Sequence, residues 1–401
     1  MQIKHWKSPA IAIAGNILDY YDFLLFVHLG HLLLPLFMPL MSDKQSHLLS
    51  LFLFGIIFLV RPIGAYLIGR ISDLIDRKKA LSLSVLWAAI ATMGLALLPT
   101  YDSIGITATL LLIGFRILQG MSVGGEYPTA GTFLMESYPK HRGLLSGLLS
   151  ASSSLGSLLA FVFAWFCLKE GSPDWLWRVA FLLGGIASLA SYLLRKNLSA
   201  IPALVAPQEQ LIYPRHIAMI TTLLLGMLIS IFSWLPTTYT YFYFTKILYT
   251  TQELALAATF IAIILQIILK PILGMLSTRF QDFSYYVGVC FLSVPLILLG
   301  FYWVTQGQIK GQIPLVIVAA MLSAPVHSVM NRLFAKENRS RSVNLLFILG
   351  ACMGGLAPAL LGFVVDKTGY HFFPAIFCVA IVLISGGLLT YFSYAYHTSR
   401  C

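Results

Sequence analysis

Apolar residues fall in long runs along this chain, and charged residues are largely confined to the short gaps between them. A run of about 20 apolar residues crosses the hydrocarbon core of a bilayer as one helix. On that rule the pattern predicts about twelve spans, at residues 9–39, 48–71, 79–99, 104–135, 143–168, 176–195, 216–245, 252–278, 283–304, 309–333, 342–365 and 371–395. The longest polar gap follows Arg195 and holds Lys196, Pro202, Pro207, Glu209, Pro214 and Arg215. It divides the spans six and six, so the expected organisation is an N-terminal six-helix bundle over 1–195, a cytoplasmic loop over 196–215 and a second bundle over 216–401.

The cations alternate in density from gap to gap. Arg70, Arg77, Lys78 and Lys79 stand in one, Lys140 and Arg142 in another, Arg195, Lys196 and Arg215 in the central one, and Arg332, Lys336, Arg339 and Arg341 in a fourth. The intervening gaps carry single cations, namely Lys44, Lys169, Lys246, Lys310 and Lys367. Loops rich in Lys and Arg stay on the cytoplasmic side, which places both termini there.

Composition supports the membrane reading. With 58% hydrophobic and 10% charged residues, a soluble fold would have to expose large apolar patches. The net charge of +11 sits in loop clusters rather than along one polar face, so nucleic acid is not an expected partner. Cys167, Cys290, Cys352, Cys378 and Cys401 are scattered and show no metal-ligand spacing. Lys4 and Lys7 precede an apolar run as in a signal peptide, but Asp19 and Asp22 interrupt it and no small-residue cleavage site follows, so it reads as a retained first span. No phosphate loop, nucleophile triad or metal motif is present, and neither an enzyme nor an ATP-driven pump is expected, with no cofactor.

Ionisable residues at membrane depth are costly; they face a bundle interior, pair with one another or line a solute path. The segment 114–143 (GFRILQGMSVGGEYPTAGTFLMESYPKHRG) carries Arg116 and Glu126 inside a hydrophobic helix. Arg61 lies nine residues before Arg70, and Glu126 ten before Glu136. At about 1.5 Å per residue both sit about 14 Å inside the bilayer. Asp19 falls at a similar height, so Arg61 with Glu126 or Asp19 forms either a neutralised functional cluster or a static brace between spans 1, 2 and 4. Lys270 is equally deep, nine residues before Arg279, with Gln266 one turn away on the same face. It either meets an anionic solute or pairs internally and snorkels. His327 and Asn331 share a face of span 10, and Tyr239, Tyr241 and Tyr243 crowd span 7. Gly and Ser are dense in spans 5 and 11, which lets helices approach closely.

Four segments recur in a familiar order: residues 15–23 (GNILDYYDF), 61–79 (RPIGAYLIGRISDLIDRKK), 116–142, and 177–183 (WRVAFLL). Together they resemble the major facilitator superfamily, and within it the metabolite:proton symporter branch, whose patterns are GNxxEWYDF, RPxGxxxxGxxGDRxGRK and RxxQGxSVGGEY. The second half is similar more weakly, through 234–237 and 350–369. Departures are Asp19-Tyr20 for the usual Glu-Trp, and Leu74 and Asp76 for the usual basic residue and glycine. The segment 274–282 lacks the acidic-basic core of its counterpart between spans 2 and 3, and no coiled-coil extension follows Tyr396.

The resemblance implies an all-α integral membrane fold of twelve transmembrane helices in two pseudo-symmetric six-helix bundles. It implies alternating access around a midplane site. Similar sugar–proton symporters pair an acid of span 1 with an arginine of span 4. Asp22 is therefore the leading proton site beside Arg116, with Asp19 and Glu126 as alternatives. Gly69, Asp73, Arg77, Glu136 and Arg142 would form a cytoplasmic gate, the acid of the 2–3 loop meeting the start of span 11. Substrate contacts fall to Arg116, Lys270, Gln266, Tyr239, His327 and Asn331. The expected protein is a monomeric, bacterial inner-membrane, proton-coupled importer of a small carboxylate-bearing metabolite, such as an organic acid, an amino acid or other zwitterion, or a polycarboxylate siderophore. The alternatives are a proton-antiport exporter of a drug or metabolite and a non-transporting membrane sensor.

Overall fold

The computed structural model describes residues 3–38, 43–196, 214–280 and 282–398; these are helices and short turns, with no strand among them. The first six long helices are α1 (Ile3–Phe37), α2 (Asp43–Leu74), α3 (Arg77–Leu97), α4 (Ile106–Ser137), α5 (Arg142–Leu168) and α6 (Leu176–Lys196). The second six are α7 (Arg215–Ile247), α8 (Gln252–Ser277), α9 (Asp282–Thr305), α10 (Ile309–Met330), α11 (Lys336–Thr368) and α12 (Phe373–Thr398). All of these but α2 meet the length and hydropathy expected of a membrane span among the described residues. The twelve helices match the twelve expected, with ends displaced by a few residues. The expected loop over 196–215 lies, apart from Lys196, Pro214 and Arg215, outside the described residues.

The helices are apolar nearly all round, as expected of membrane spans. Leu59, Phe291 and Phe363 point outward, each more than 60% exposed. Such a surface suits lipid rather than water. Phe23, Phe37, Phe181, Phe232 and Phe301 fill the interiors.

Contacts divide the chain into two compact units, residues 1–133 with 152–202 and residues 134–151 with 203–401. In the first, α3 packs along α6, and α1 lies against both α6 and α2. Helices α2 and α4 cross at backbone distance, because a Cβ on Gly64 would strike the Met121 carbonyl and one on Gly124 the Arg61 carbonyl. Small residues at such crossings let van der Waals packing replace the hydrophobic driving force that lipid does not supply. Asp76, one of the departures from the family pattern, caps α3 by accepting a hydrogen bond from the Lys78 amide at 3.0 Å. A cap of this kind stabilises a helix by about 1 kcal/mol.

In the second unit α7 packs along α11, α9 along α12 and α8 along α10. Helix α7 is wound as a π-helix over Leu235–Tyr239 and again over Tyr243–Ile247. Such turns are concentrated at functional sites. Helix α10 breaks after Ser323, before Pro325, and resumes at Val326–Met330. The first turns of α5 lie against α8, with Gly143 on Gly274 and Gly147 on the Lys270 carbonyl.

Candidate functional site

Three helices of the first unit bring Asp22, Thr92, Gln119 and Arg116 into one buried hydrogen-bonded chain. Arg116 of α4 donates from Nη1 to Gln119 Oε1 at 2.6 Å. One helical turn links these two residues, the i, i+3 neighbours of an α-helix. Gln119 Nε2 donates to Thr92 Oγ1 of α3 at 3.1 Å. Thr92 in turn donates to Asp22 Oδ2 of α1 at 2.6 Å. Every bond runs donor to acceptor from the guanidinium toward the carboxyl, as it must when one end is donor-only.

Both ends of this chain keep unused capacity. Arg116 is fully buried, with its guanidinium 3.8 Å above the Phe26 ring, and neither Nε nor Nη2 has a hydrogen-bond partner among the described residues. Asp22 Oδ1 is also buried and has no hydrogen-bond partner among the described residues. It faces Gly184 of α6, where a Cβ would collide with it. Only glycine leaves that oxygen its place.

A second charge group lies on the same helices, one to three turns away. Glu126 of α4 is fully buried and pairs with Arg195 of α6, Nη2 to Oε1 at 2.5 Å and Nη1 to Oε2 at 3.0 Å. Arg195 also donates to the Leu81 carbonyl of α3 at 2.6 Å and the Ala12 carbonyl of α1 at 3.2 Å. A Cβ on Gly15 would occupy the position of Arg195 Nη2. The expected cluster of Arg61 with Glu126 is thus corrected: the cation on Glu126 is Arg195. The guanidinium of Arg61 instead lies over the rings of Phe23 and Phe58, at 4.4 and 4.6 Å. Equal depth along two helices does not fix which way their side chains turn. Arg195, expected at the mouth of the central loop, is 2% exposed because its guanidinium turns inward onto Glu126 and the carbonyls of Leu81 and Ala12.

The Ser84 hydroxyl also hydrogen-bonds Glu126. Ser122 of α4 donates to the Ser84 carbonyl at 2.7 Å and stands 3.4 and 3.5 Å from the two oxygens of Asp19.

In the second unit Lys270 is buried on α8 and donates to the Ser150 carbonyl of α5 at 3.3 Å. Gln266 is buried one turn earlier. Asn331 and His327 do come together, through an Asn331 side-chain bond to the His327 carbonyl at 2.8 Å, and the His327 amide donates to Ser146 Oγ of α5 at 3.2 Å. Tyr239 is 1% exposed, its hydroxyl has no hydrogen-bond partner among the described residues, and its ring lies against Tyr243 and Phe301.

Of the expected gate residues, Arg77 pairs with Asp73 at 2.7 Å and also bonds the Ser72 carbonyl, while Gly69 is buried one turn earlier on α2. Glu136, at the end of α4, pairs with Arg339 of α11 at 3.0 Å. Arg142 donates to the Met135 carbonyl at 3.2 Å.

The family model described as Major Facilitator Superfamily matches residues 23–342. The chain belongs to the Major Facilitator Superfamily. It is 26% identical, over 96% of its own length and 82% of the relative's, to the glycine betaine/proline/ectoine/pipecolic acid transporter of Dickeya dadantii. It is 24% identical, with the same coverage, to the proline/betaine transporter of Escherichia coli. The fold matches the solved proton:xylose symporter XylE bound to 6-bromo-6-deoxy-D-glucose, with a TM-score of 0.74 at 18% identity over 98% of this chain and 96% of that one. This member of the superfamily is accordingly a multi-pass membrane transport protein built of two six-helix bundles.

Sequence reasoning missed Thr92, Gln119, Arg195, Ser84, Ser122 and Arg339 as partners of the charged residues. Gln119 stands in the RxxQG motif, three residues after Arg116, and its spacing could have revealed it. Ser122 stands in the same motif, six residues after Arg116, whereas Thr92 and Ser84 are hydroxyls in an apolar helix and carry no local signal.

Proposed function

We propose that this superfamily member imports a small carboxylate-bearing solute together with protons by alternating access. The observation that carries the reading is the open edge of Arg116, where Nε and Nη2 are buried, donor-only and unsatisfied. A guanidinium edge matches the two oxygens of a carboxylate, and burying it without an anion is costly. The solutes in the relatives' names, glycine betaine, proline, ectoine and pipecolic acid, all bear a carboxylate, which favours a small zwitterion over a polycarboxylate. A proton symporter among the structural neighbours is in keeping with proton drive.

Asp22 is the coupling acid, taking its proton on Oδ1 while Oδ2 holds the chain to Arg116. With no side chain at Gly184, that oxygen stays unobstructed. Glu126, already neutralised by Arg195, serves as a brace. Lys270, Gln266, Tyr239, His327 and Asn331 are further candidates for solute binding, all within the second unit. Glu136 with Arg339 closes the cytoplasmic gate, and Asp73 with Arg77, four residues apart, holds the turn from α2 into α3, with Gly69 and Arg142 shaping those turns. The protein works as a monomer in the bacterial inner membrane with both termini in the cytoplasm.

The test is ligand-induced stabilisation of the purified protein. Proline and glycine betaine should raise the melting temperature, whereas prolinamide, which lacks the carboxylate, should not, and Arg116→Ala should abolish the effect. Equal stabilisation by proline and prolinamide would remove the carboxylate from the reading.

A further inference from the structure

Asp19 is buried at 2% exposure on α1, one turn before Asp22. Its hydrogen bonding differs from that of every other interior acid described above. Asp22 receives the Thr92 hydroxyl, and Glu126 receives both arms of Arg195. The polar group at Asp19 is Ser122 Oγ, at 3.4 and 3.5 Å. That hydroxyl has a single hydrogen, and it is committed elsewhere. The Ser84 carbonyl 2.7 Å away can only accept, so Ser122 must donate to it. Ser122 therefore has only lone pairs to offer Asp19. Two acceptors facing each other make no bond unless one of them carries a hydrogen.

We infer that Asp19 is a second proton-binding site, separate from Asp22, whose carboxyl O–H donates to Ser122. The donor-to-acceptor order is then consistent, with a long contact from Asp19 to Ser122 at 3.4 Å and a short one from Ser122 to the Ser84 carbonyl at 2.7 Å. The alternative is a third buried anion with no donor of its own, among charged neighbours that comprise Glu126 of α4, Asp22 of α1 and Arg195 of α6. Arg195 is already held by both oxygens of Glu126 and by the carbonyls of Leu81, Ile11 and Ala12. An unpaired anion in such a place is strongly disfavoured. Binding here is plain protonation, one carboxylate oxygen and one proton giving one carboxyl group. The inference extends the proton-coupled reading above but does not require that the solute be known.

Infrared spectroscopy of the purified protein in lipid at neutral pH reads the site directly, with no solute added. A protonated-carboxyl C=O band that shifts in D2O should be present in the wild type, absent in Asp19→Asn and retained in Asp22→Asn. Ser122→Ala, which removes the acceptor, should move that band, and Ser122→Thr should restore it. An identical protonated-carboxyl region in the wild type and Asp19→Asn would overturn the proposal. Should Asp19→Asn fail to fold, the Ser122 pair decides: an unmoved band in Ser122→Ala refutes it. Failure of solute uptake with this band intact would instead count against the transport reading alone.

Discussion

Asp22 and Arg116 are joined through two intervening side chains, Gln119 and Thr92, rather than by a direct ion pair. A direct pair would hold both charges in one contact. The relay leaves an oxygen of one residue and two nitrogens of the other free, so a proton and an anion can each be received without displacing the connection between them.

The relay should be sensitive to its middle. Thr92→Val keeps the shape and removes the hydroxyl, and Gln119→Leu removes the amide. A buried hydrogen bond to a charged group contributes about 1.5–3 kcal/mol, so either change should lower proton-driven accumulation roughly tenfold or more. Thr92→Ser should retain most of it. Accumulation and solute exchange measured side by side in proteoliposomes distinguish lost coupling from lost binding, since exchange should persist.

The Glu126–Arg195 pair should govern stability rather than coupling. Removing one partner of a buried pair costs about 3–5 kcal/mol, because the other charge is left uncompensated. Arg195→Ala should therefore lower the melting temperature markedly, and Arg195→Ala with Glu126→Gln should recover part of the loss. Gly15→Ala, which places a methyl where the guanidinium lies, should behave like a milder Arg195→Ala. A double variant no more stable than Arg195→Ala would contradict the assignment.

Much of the architecture was legible in the chain, because a bilayer demands long apolar helices and the gaps between them are visible as polar interruptions. Asp22 and Arg116 announced themselves as charges at depth. Arg195 did not. Beside Lys196, at the last turn of its helix, it looked like the opening of a loop, and only the packing of α6 against α1 and α3 turns it inward to Glu126. Arg61 and Glu126 sit at similar depth, yet rotation about the helix axes sends Arg61 to Phe23 and Phe58. Depth can be counted from sequence, whereas azimuth depends on how neighbouring helices pack. For the same reason the partners Thr92 and Ser84 stayed hidden.

Gly184 should be intolerant of any side chain. A methyl there collides with Asp22 Oδ1 and with the Tyr21 ring, displacing the carboxyl from Thr92. Gly184→Ala should keep the protein folded and impair proton-driven uptake, and Gly184→Val should abolish it. Undiminished uptake by Gly184→Val would show that the position of Asp22 Oδ1 is immaterial.

The Glu136–Arg339 contact should bias the conformational equilibrium. Ser150 lies buried on the same stretch of α5 that contacts Ser323 and Lys270. In a Ser150→Cys background, Glu136→Gln should accelerate thiol alkylation from the cytoplasmic side severalfold, as an opened latch requires. An unchanged rate would leave the ion pair with no part in gating.

The coupling claim is tested most directly by accumulation of radiolabelled proline or glycine betaine in proteoliposomes under an imposed inward proton gradient, comparing wild type with Asp22→Asn. Wild type should concentrate the solute and lose that ability when the gradient is collapsed. Asp22→Asn should exchange solute across the membrane at a comparable rate and yet concentrate none. Gradient-dependent accumulation by Asp22→Asn equal to that of the wild type would contradict the account.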